Sequence, residues 1–397
     1  MRHGPRPSAG STGKAPLLFY ADGYKFPDVF HLTRFLSPDP IIALEDGADI
    51  VVIANSLEEG RVRKLSRATS VFNIDAFGAK ELSGKGLSRE ELDANVIARF
   101  LASRNTKRVT VASYFPVGMA ERLRALGIEL DIAQDIVDRR RAKRPDEIAA
   151  LDAAQRATED AWAKGVDALR ATSVGADSVL QLDGAPFTAE RLRAIVEGRL
   201  LELGYASDGA IIAPGAQAAD PHMTGSGPLH RGEPIVMDIF PQHKTSRYWA
   251  DMTRTVSKGE PPAEILKMYE VVKLAQDAGM KALRPGITGR EVHELVEDII
   301  FEAGYDTLRP GQQHGKPAEG ALPKGFIHGT GHGVGLEIHE APSVGRGGTA
   351  PLAAGDVVTV EPGVYDPQIG GVRLEDMLLI TAEGSRNFTR APRQLIV

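Results

Sequence analysis

The chain has 397 residues, 25% of them charged, and a formal net charge of −6, so no basic surplus points to a nucleic-acid partner. It is longer than one hydrophobic core usually serves, and two domains are expected. The absence of cysteine excludes disulfides, thiolate metal sites and cysteine nucleophiles. Any metal is left to oxygen and imidazole ligands, which favours manganese, cobalt, iron or zinc.

Residues 1–16 are polar and rich in Gly, Pro and Ser, without an apolar h-region, and read as a loose tail rather than a signal peptide. No apolar run reaches the roughly 18 residues that span a bilayer, so a cytoplasmic protein with no membrane partner is expected. Between residues 17 and 138, short apolar runs (PLLFYA, DIVVIA, RVTVAS, IELDIA) alternate with helical patterns. SREELDANVIARFLASR reads as a helix opened by a capping box of Ser88 and Glu91. Strand–helix alternation predicts a small α/β domain with a largely parallel sheet. The region holds no GxGxxG, P-loop or His/carboxylate cluster, and a structural or oligomerisation role is expected of it.

The basic run Arg139–Arg144 reads as a solvated linker over 139–144, and the second domain is expected over 145–397. Pro145-Asp146-Glu147 is a good helix start, with Pro in the first turn and acids near the N-terminus. Ile148, Leu151, Trp162, Val166 and Leu169 then recur at helical spacing. An internal repeat follows. GVDALR at 165–170 resembles GMKALR at 279–284, an offset of 114, and IVEGRLLELGY at 195–205 resembles LVEDIIFEAGY at 295–305, an offset of 100. Each copy reads helix, helix, then strands, which predicts two matched halves around a shared cleft.

Acidic residues fall after each copy. Asp238 in PIVMDIFPQ and Asp251 in RYWADMTRTV sit within strand-like runs, where a lone carboxylate is costly unless paired or ligated. Joined through PQHKTSR as a hairpin, the two can face one side. After the second copy comes FIHGTGHGVGLEIHE (326–340), with His328, His332 and His339 among four glycines. Alone, this stretch is either a surface loop with incidental histidines or backbone passing close to a ligand. Glu361 in VVTVEPGVY and Glu375 in GGVRLEDMLLI lie in or beside further strand-like runs. Two aspartates, two glutamates and a histidine suit two hard-to-borderline divalent ions sharing a water.

The ordered motifs MD, ADMTRTV, GTGHGVGLEIHEAPSV, VEPGVY and GGVRLEDMLLIT resemble the creatinase/prolidase family of pita-bread metallopeptidases, in its Xaa-Pro dipeptidase and Xaa-Pro aminopeptidase branch. The resemblance covers roughly 145–397. It implies an α/β chain with a pseudo-twofold α+β pita-bread catalytic domain behind a smaller creatinase-like α/β domain. It implies cleavage of the Xaa-Pro bond in proline di- or oligopeptides, in a homodimer, with two divalent ions: manganese first, cobalt or zinc as alternatives. Position by position, Asp238, Asp251, His332, Glu361 and Glu375 match the metal ligands, with Asp251 and Glu375 bridging. Glu361 also matches the general base for the bridging water. His222 matches a histidine on the scissile peptide, His339 one that steadies the tetrahedral intermediate, and His328 one lining the proline pocket. Arg373 matches a basic residue near the carboxylates, and Arg346 an arginine for the substrate carboxylate. The chain departs from the family's Asp-x-Gly at Asp238-Ile239-Phe240-Pro241, which affects the rim of the site more than its ligands. A dipeptidase is the expectation, with an aminopeptidase for longer peptides or a non-peptidase relative as alternatives, and a catalytically inert binding module as a third.

Overall fold

The computed structural model describes residues 15–314 and 324–397, so residues 1–14 of the expected tail lie outside the described residues. Two compact units divide the chain, Met1–Arg140 and Arg141–Val397. Among the described residues, no helix is long and apolar enough to cross a membrane.

The first unit is built on a six-stranded sheet whose apolar side chains feed a core on each face. All four strands expected from sequence are present, and the predicted helix spans Arg89–Ser103 with the Ser88/Glu91 capping box formed. The sheet is mixed rather than largely parallel. The strand Ile41–Asp46, not anticipated from sequence, runs antiparallel to both Leu17–Ala21 and Asp49–Ala54, and only the outer ladders are parallel. The reason is local: Gly47, at φ +61°, lets the chain reverse within two residues and return as a hairpin, with no crossover helix.

The basic run is no solvated linker. Arg140 is buried beside Asp28, 3.0 Å away, and Arg139 pairs with Glu45, all within the first unit. In the second unit Arg141 meets Asp356 at 2.7 Å, and buried Lys143 meets buried Glu340 at 2.8 Å. Charges in a row look solvated in one dimension; here Arg139, Arg140, Arg141 and Lys143 each have a carboxylate brought from a distant part of their own unit, and Arg144 pairs locally with Glu147.

The second unit carries the repeat. Its first half holds the helices Pro145–Ala171 and Ala189–Glu202 and a sheet of Ile211–Pro214, Ile235–Ile239 and Met252–Val256. Its second half holds the helices Ala263–Ala282 and Gly289–Glu302. The sheet there contains Glu340–Val344, Gly331–Gly333, Val357–Val360, Asp376–Ile380 and Ser385–Asn387. Small residues at equivalent places let helices close on strands. An added Cβ at Gly165 would meet Val196 and Met237 at 3.0 and 3.1 Å, and one at Gly279 would meet Val296 and Val360, both at 3.1 Å. Met237 and Val360 immediately precede Asp238 and Glu361, so this packing sets the height of both carboxylates.

Candidate active site

Strand register explains why these acids converge. Strands Ile235–Ile239 and Met252–Val256 are antiparallel with Ile239 opposite Met252, so Asp251 lies one step on, diagonal to Asp238 and on its face. Val360 faces Asp376 in the other half, which sets Glu361 opposite Glu375 just past the ladder. The halves meet where the Glu375 N–H donates to the Thr253 carbonyl at 3.0 Å. Fully buried Arg254 reinforces the seam, donating to the Glu375 carbonyl at 2.7 Å and pairing with Asp376 at 2.7 Å.

A cavity of about 600 Å³ opens over this seam, lined by all four carboxylates and by His222, His328, His332, His339 and Arg373. The His332 Nδ1–H donates to the Gly333 carbonyl at 3.1 Å, leaving Nε2 to face the acids. Nε2 lies 3.3 Å from Glu361, 3.5 Å from Asp251 and 4.0 Å from Glu375. Ligand atoms of Asp251, His332 and Glu375 all fall within 4.8 Å of one another. Burial pushes Asp251 and Glu375 well above the usual carboxylate range, reinforced by Glu375 on the first and Glu361 on the second. It pushes Glu361 up to about 8, against the pull of Arg373. His332 is pushed down to about 3 by burial, then by His339. Among the described residues Asp238 Oδ1 and Glu375 Oε1 are buried without a hydrogen-bond partner. Crowded acids, an imidazole lone pair aimed at them and two orphaned oxygens are what divalent cations reconcile, so the donor set fits a metal centre.

Arg373 is buried and fixed by several partners. It pairs with Asp238 at 2.8 Å and donates to the Tyr365 hydroxyl at 3.0 Å and the Thr253 hydroxyl at 3.3 Å. The Tyr365 oxygen lies 2.8 Å from His328 Nε2, while His328 Nδ1 lies 2.8 Å from the Gly329 carbonyl. Nδ1 therefore carries the ring hydrogen and Tyr365 donates to Nε2. Burial and Arg373 hold His328 near 3. His339 stands edge-on to His332, centroids 4.3 Å apart, and burial lowers its pKa. His222 sits exposed at the rim.

Arg346 is set apart: it does not line the cavity, and its guanidinium pairs with buried Glu297. Sequence reasoning missed Tyr365, Thr253, which donates to Glu375 at 2.9 Å, and Thr359, which receives the His332 N–H at 3.2 Å. Thr253 and Tyr365 lie inside motifs already singled out, and strand alternation two residues past Asp251 is the signal that could have found Thr253; nothing in one dimension joins Tyr365 to His328.

Comparison with known proteins agrees with this geometry. Residues 149–382, more than half of the chain, match metallopeptidase family M24. The Xaa-Pro dipeptidase of Pyrococcus horikoshii is 38% identical over 187 residues, 47% of this chain and 48% of the relative. The chain thus matches about half the length of such curated relatives. A probable dipeptidase of Mycobacterium tuberculosis is 32% identical over 275 residues, 69% of this chain and 65% of the relative. Among solved structures, the prolidase of Pyrococcus horikoshii OT3 superposes with a TM-score of 0.74 at 27% identity, covering 96% of each chain. The X-Pro aminopeptidase of Thermotoga maritima MSB8 shares the fold at 0.78 and 23% identity, covering 97% of this chain and 98% of the other. With the family's match spanning both halves of the acidic cleft, the chain belongs to metallopeptidase family M24.

Proposed function

We propose that the chain is a metal-dependent Xaa-Pro dipeptidase. The observation that carries this reading is the meeting of four carboxylates and the His332 Nε2 on one cavity floor, with Asp238 Oδ1 and Glu375 Oε1 left without donors. Asp238, Asp251, His332, Glu361 and Glu375 would hold two divalent ions, manganese first. Such ions acidify water and polarise a carbonyl.

The chain's own residues do the rest. Glu361 takes a proton from the attacking water as its oxygen bonds to the scissile carbon, and delivers one to the proline nitrogen as the C–N bond breaks. That nitrogen is a tertiary amide without N–H, so recognition falls to the ring. His328, held by Tyr365, forms a wall for it. His339 donates to the developing oxyanion, and His222 reaches the scissile peptide from the rim. A cytoplasmic homodimer completes the reading; sedimentation velocity tests the assembly.

One observation favours a second reading, an aminopeptidase for longer chains. Among the described lining residues the only guanidinium is Arg373, and it is committed to Asp238, leaving none to clamp a free carboxylate. The deciding experiment compares Ala-Pro with Ala-Pro-Ala under manganese and under chelation. Faster Ala-Pro turnover supports the dipeptidase, and preference for the tripeptide supports the second reading. Turnover of neither, at full metal loading, would overturn both.

A further inference from the structure

Helix Gly289–Glu302 sends two buried residues one turn apart, His293 and Glu297, toward the glycine-rich segment. His293 Nδ1 lies 2.9 Å from the buried Thr330 hydroxyl, and its Nε2 lies 3.4 Å from Glu297. Glu297 is in turn paired with Arg346, whose side chain is 41% exposed. With Nε2–H facing the carboxylate, Nδ1 accepts from the Thr330 hydroxyl. The Thr330 carbonyl receives the Glu361 N–H at 2.7 Å, and His332 follows two residues later. The His293 ring also packs on Phe326, and Phe326 on His328, with centroids 5.6 and 5.1 Å apart. One imidazole thus touches the segment on both sides of His328.

The other half of the unit repeats the device. Offset by 100, the equivalents of His293 and Glu297 are Arg193 and Glu197. Arg193 donates to the Ala210 carbonyl at 2.7 Å, and the Ala210 N–H donates to Glu197 at 3.0 Å. Ala210 adjoins Ile211, which pairs with Asp238 as Thr330 does with Glu361. Each half braces the strand beside its carboxylate with a basic residue and a glutamate from its second helix. Only the second brace extends to a half-exposed arginine.

We infer that Arg346, Glu297, His293 and Thr330 form a positioning relay that fixes the backbone under Glu361 and His332. Arg346 then acts from behind the site and does not grip substrate. Part of the test rests on the peptidase reading and part, metal affinity, does not. In Arg346→Ala and Thr330→Val, kcat for the better Xaa-Pro substrate should fall about 10-fold, as for other outer-layer partners of metal ligands, with KM within about twofold. The manganese Kd, measured by calorimetry on the full chain, should weaken by a similar factor. Arg346→Lys and Thr330→Ser should restore most of both, which a mere loss of stability would not produce. A raised KM with unchanged kcat in Arg346→Ala would instead make Arg346 a substrate clamp and overturn the relay. So would wild-type kcat and Kd in both variants. If Thr330→Val does not fold, Arg346→Ala and its lysine rescue decide alone. A wild-type chain that binds manganese but cleaves no Xaa-Pro bond sinks the peptidase reading, and the Kd series then decides the relay.

Discussion

The two halves of the second unit bring the same scaffold to the cleft and furnish it differently. At matching register the first half presents Ile211-Ile212-Ala213 beside Asp238, and the second presents Thr330-Gly331-His332 beside Glu361. Ile211 and Phe240, the latter two residues beyond Asp238, give the first wall an apolar patch. Glycine at 331 is required on the other wall, where an added Cβ would lie 2.0 Å from the Thr359 carbonyl. The halves match in their paired carboxylates; the departures from symmetry set an apolar patch beside Asp238 and the His332 imidazole beside Glu361, so the two acids have different surroundings.

The largest expected effect separates the equivalent acids. Asp238 is already paired with Arg373, whereas Glu361 opposes Glu375 and His332. In the proposed mechanism Glu361→Gln should lower kcat by about 10³-fold. Asp238→Asn should chiefly lower the bound-ion count measured by elemental analysis. Equal losses of rate and metal in both variants would make the halves interchangeable and break the comparison.

Next comes the metal-free chain. The buried acids have raised folded-state pKa values, Glu361 near 8, so the folded state holds protons that the unfolded state releases from about pH 4 upward. Their stabilisation is fully present below that pH and is lost as pH rises through the folded-state values, which for Glu361 is about 8. His328 and His332, near 3 when folded, act oppositely between about 3 and 6.5, where the unfolded chain binds protons. Above pH 6.5 only the acids remain, so the chelated protein should lose on the order of 1 kcal/mol per pH unit for each proton released. Manganese should restore the most stability at pH 8. A flat melting profile from 6.5 to 8 in chelator would contradict the burial of these acids.

Much of this was readable in one dimension because the ligands sit in or beside strands, where an acid amid apolar residues stands out, and because duplication leaves matched helices. What escaped were relations with no local trace. Tyr365 gains its place through His328 and Arg373, and Lys143 through Glu340, 197 residues away. The family resemblance alone assigned Arg346 to the substrate carboxylate. The strand Glu340–Val344 instead delivers it beside the helix Gly289–Glu302, where buried Glu297 needs a cation.

Phe240 sharpens the contrast between walls. It stands where the family commonly has glycine, and Phe240→Gly should enlarge the apolar side without touching the acids. Selectivity among residues preceding proline should shift toward larger side chains by about 10-fold, within the range of apolar pocket changes. Metal content should stay at the wild-type value. Unchanged ratios of kcat/KM across Ala-Pro, Leu-Pro and Phe-Pro would show that substrate does not use this wall.

The smallest effect tests the symmetry itself, at Gly165 and Gly279. An added methyl at Gly165 meets Val196, Met237 and Leu192 within 3.2 Å, and at Gly279 it meets Val296 and Val360 at 3.1 Å. By crowding alone the first site should suffer more. Compliance argues the reverse, since at Gly165 Val196 alone is stiff at χ1 while Met237 and Leu192 can rotate their ends away, whereas both close contacts at Gly279 are stiff valines. Gly165 also lies well inside its helix, where alanine gains up to about 1 kcal/mol, whereas Gly279 lies in the last turn, where the gain is less. Gly165→Ala should therefore be near neutral in urea unfolding, and Gly279→Ala should cost about 1–2 kcal/mol. The strain at Gly279 falls on Val360, so kcat should drop with stability there and hold steady at Gly165. Equal costs at both positions would mean that crowding outweighs compliance, and that the halves are packed as alike as their sequences suggest.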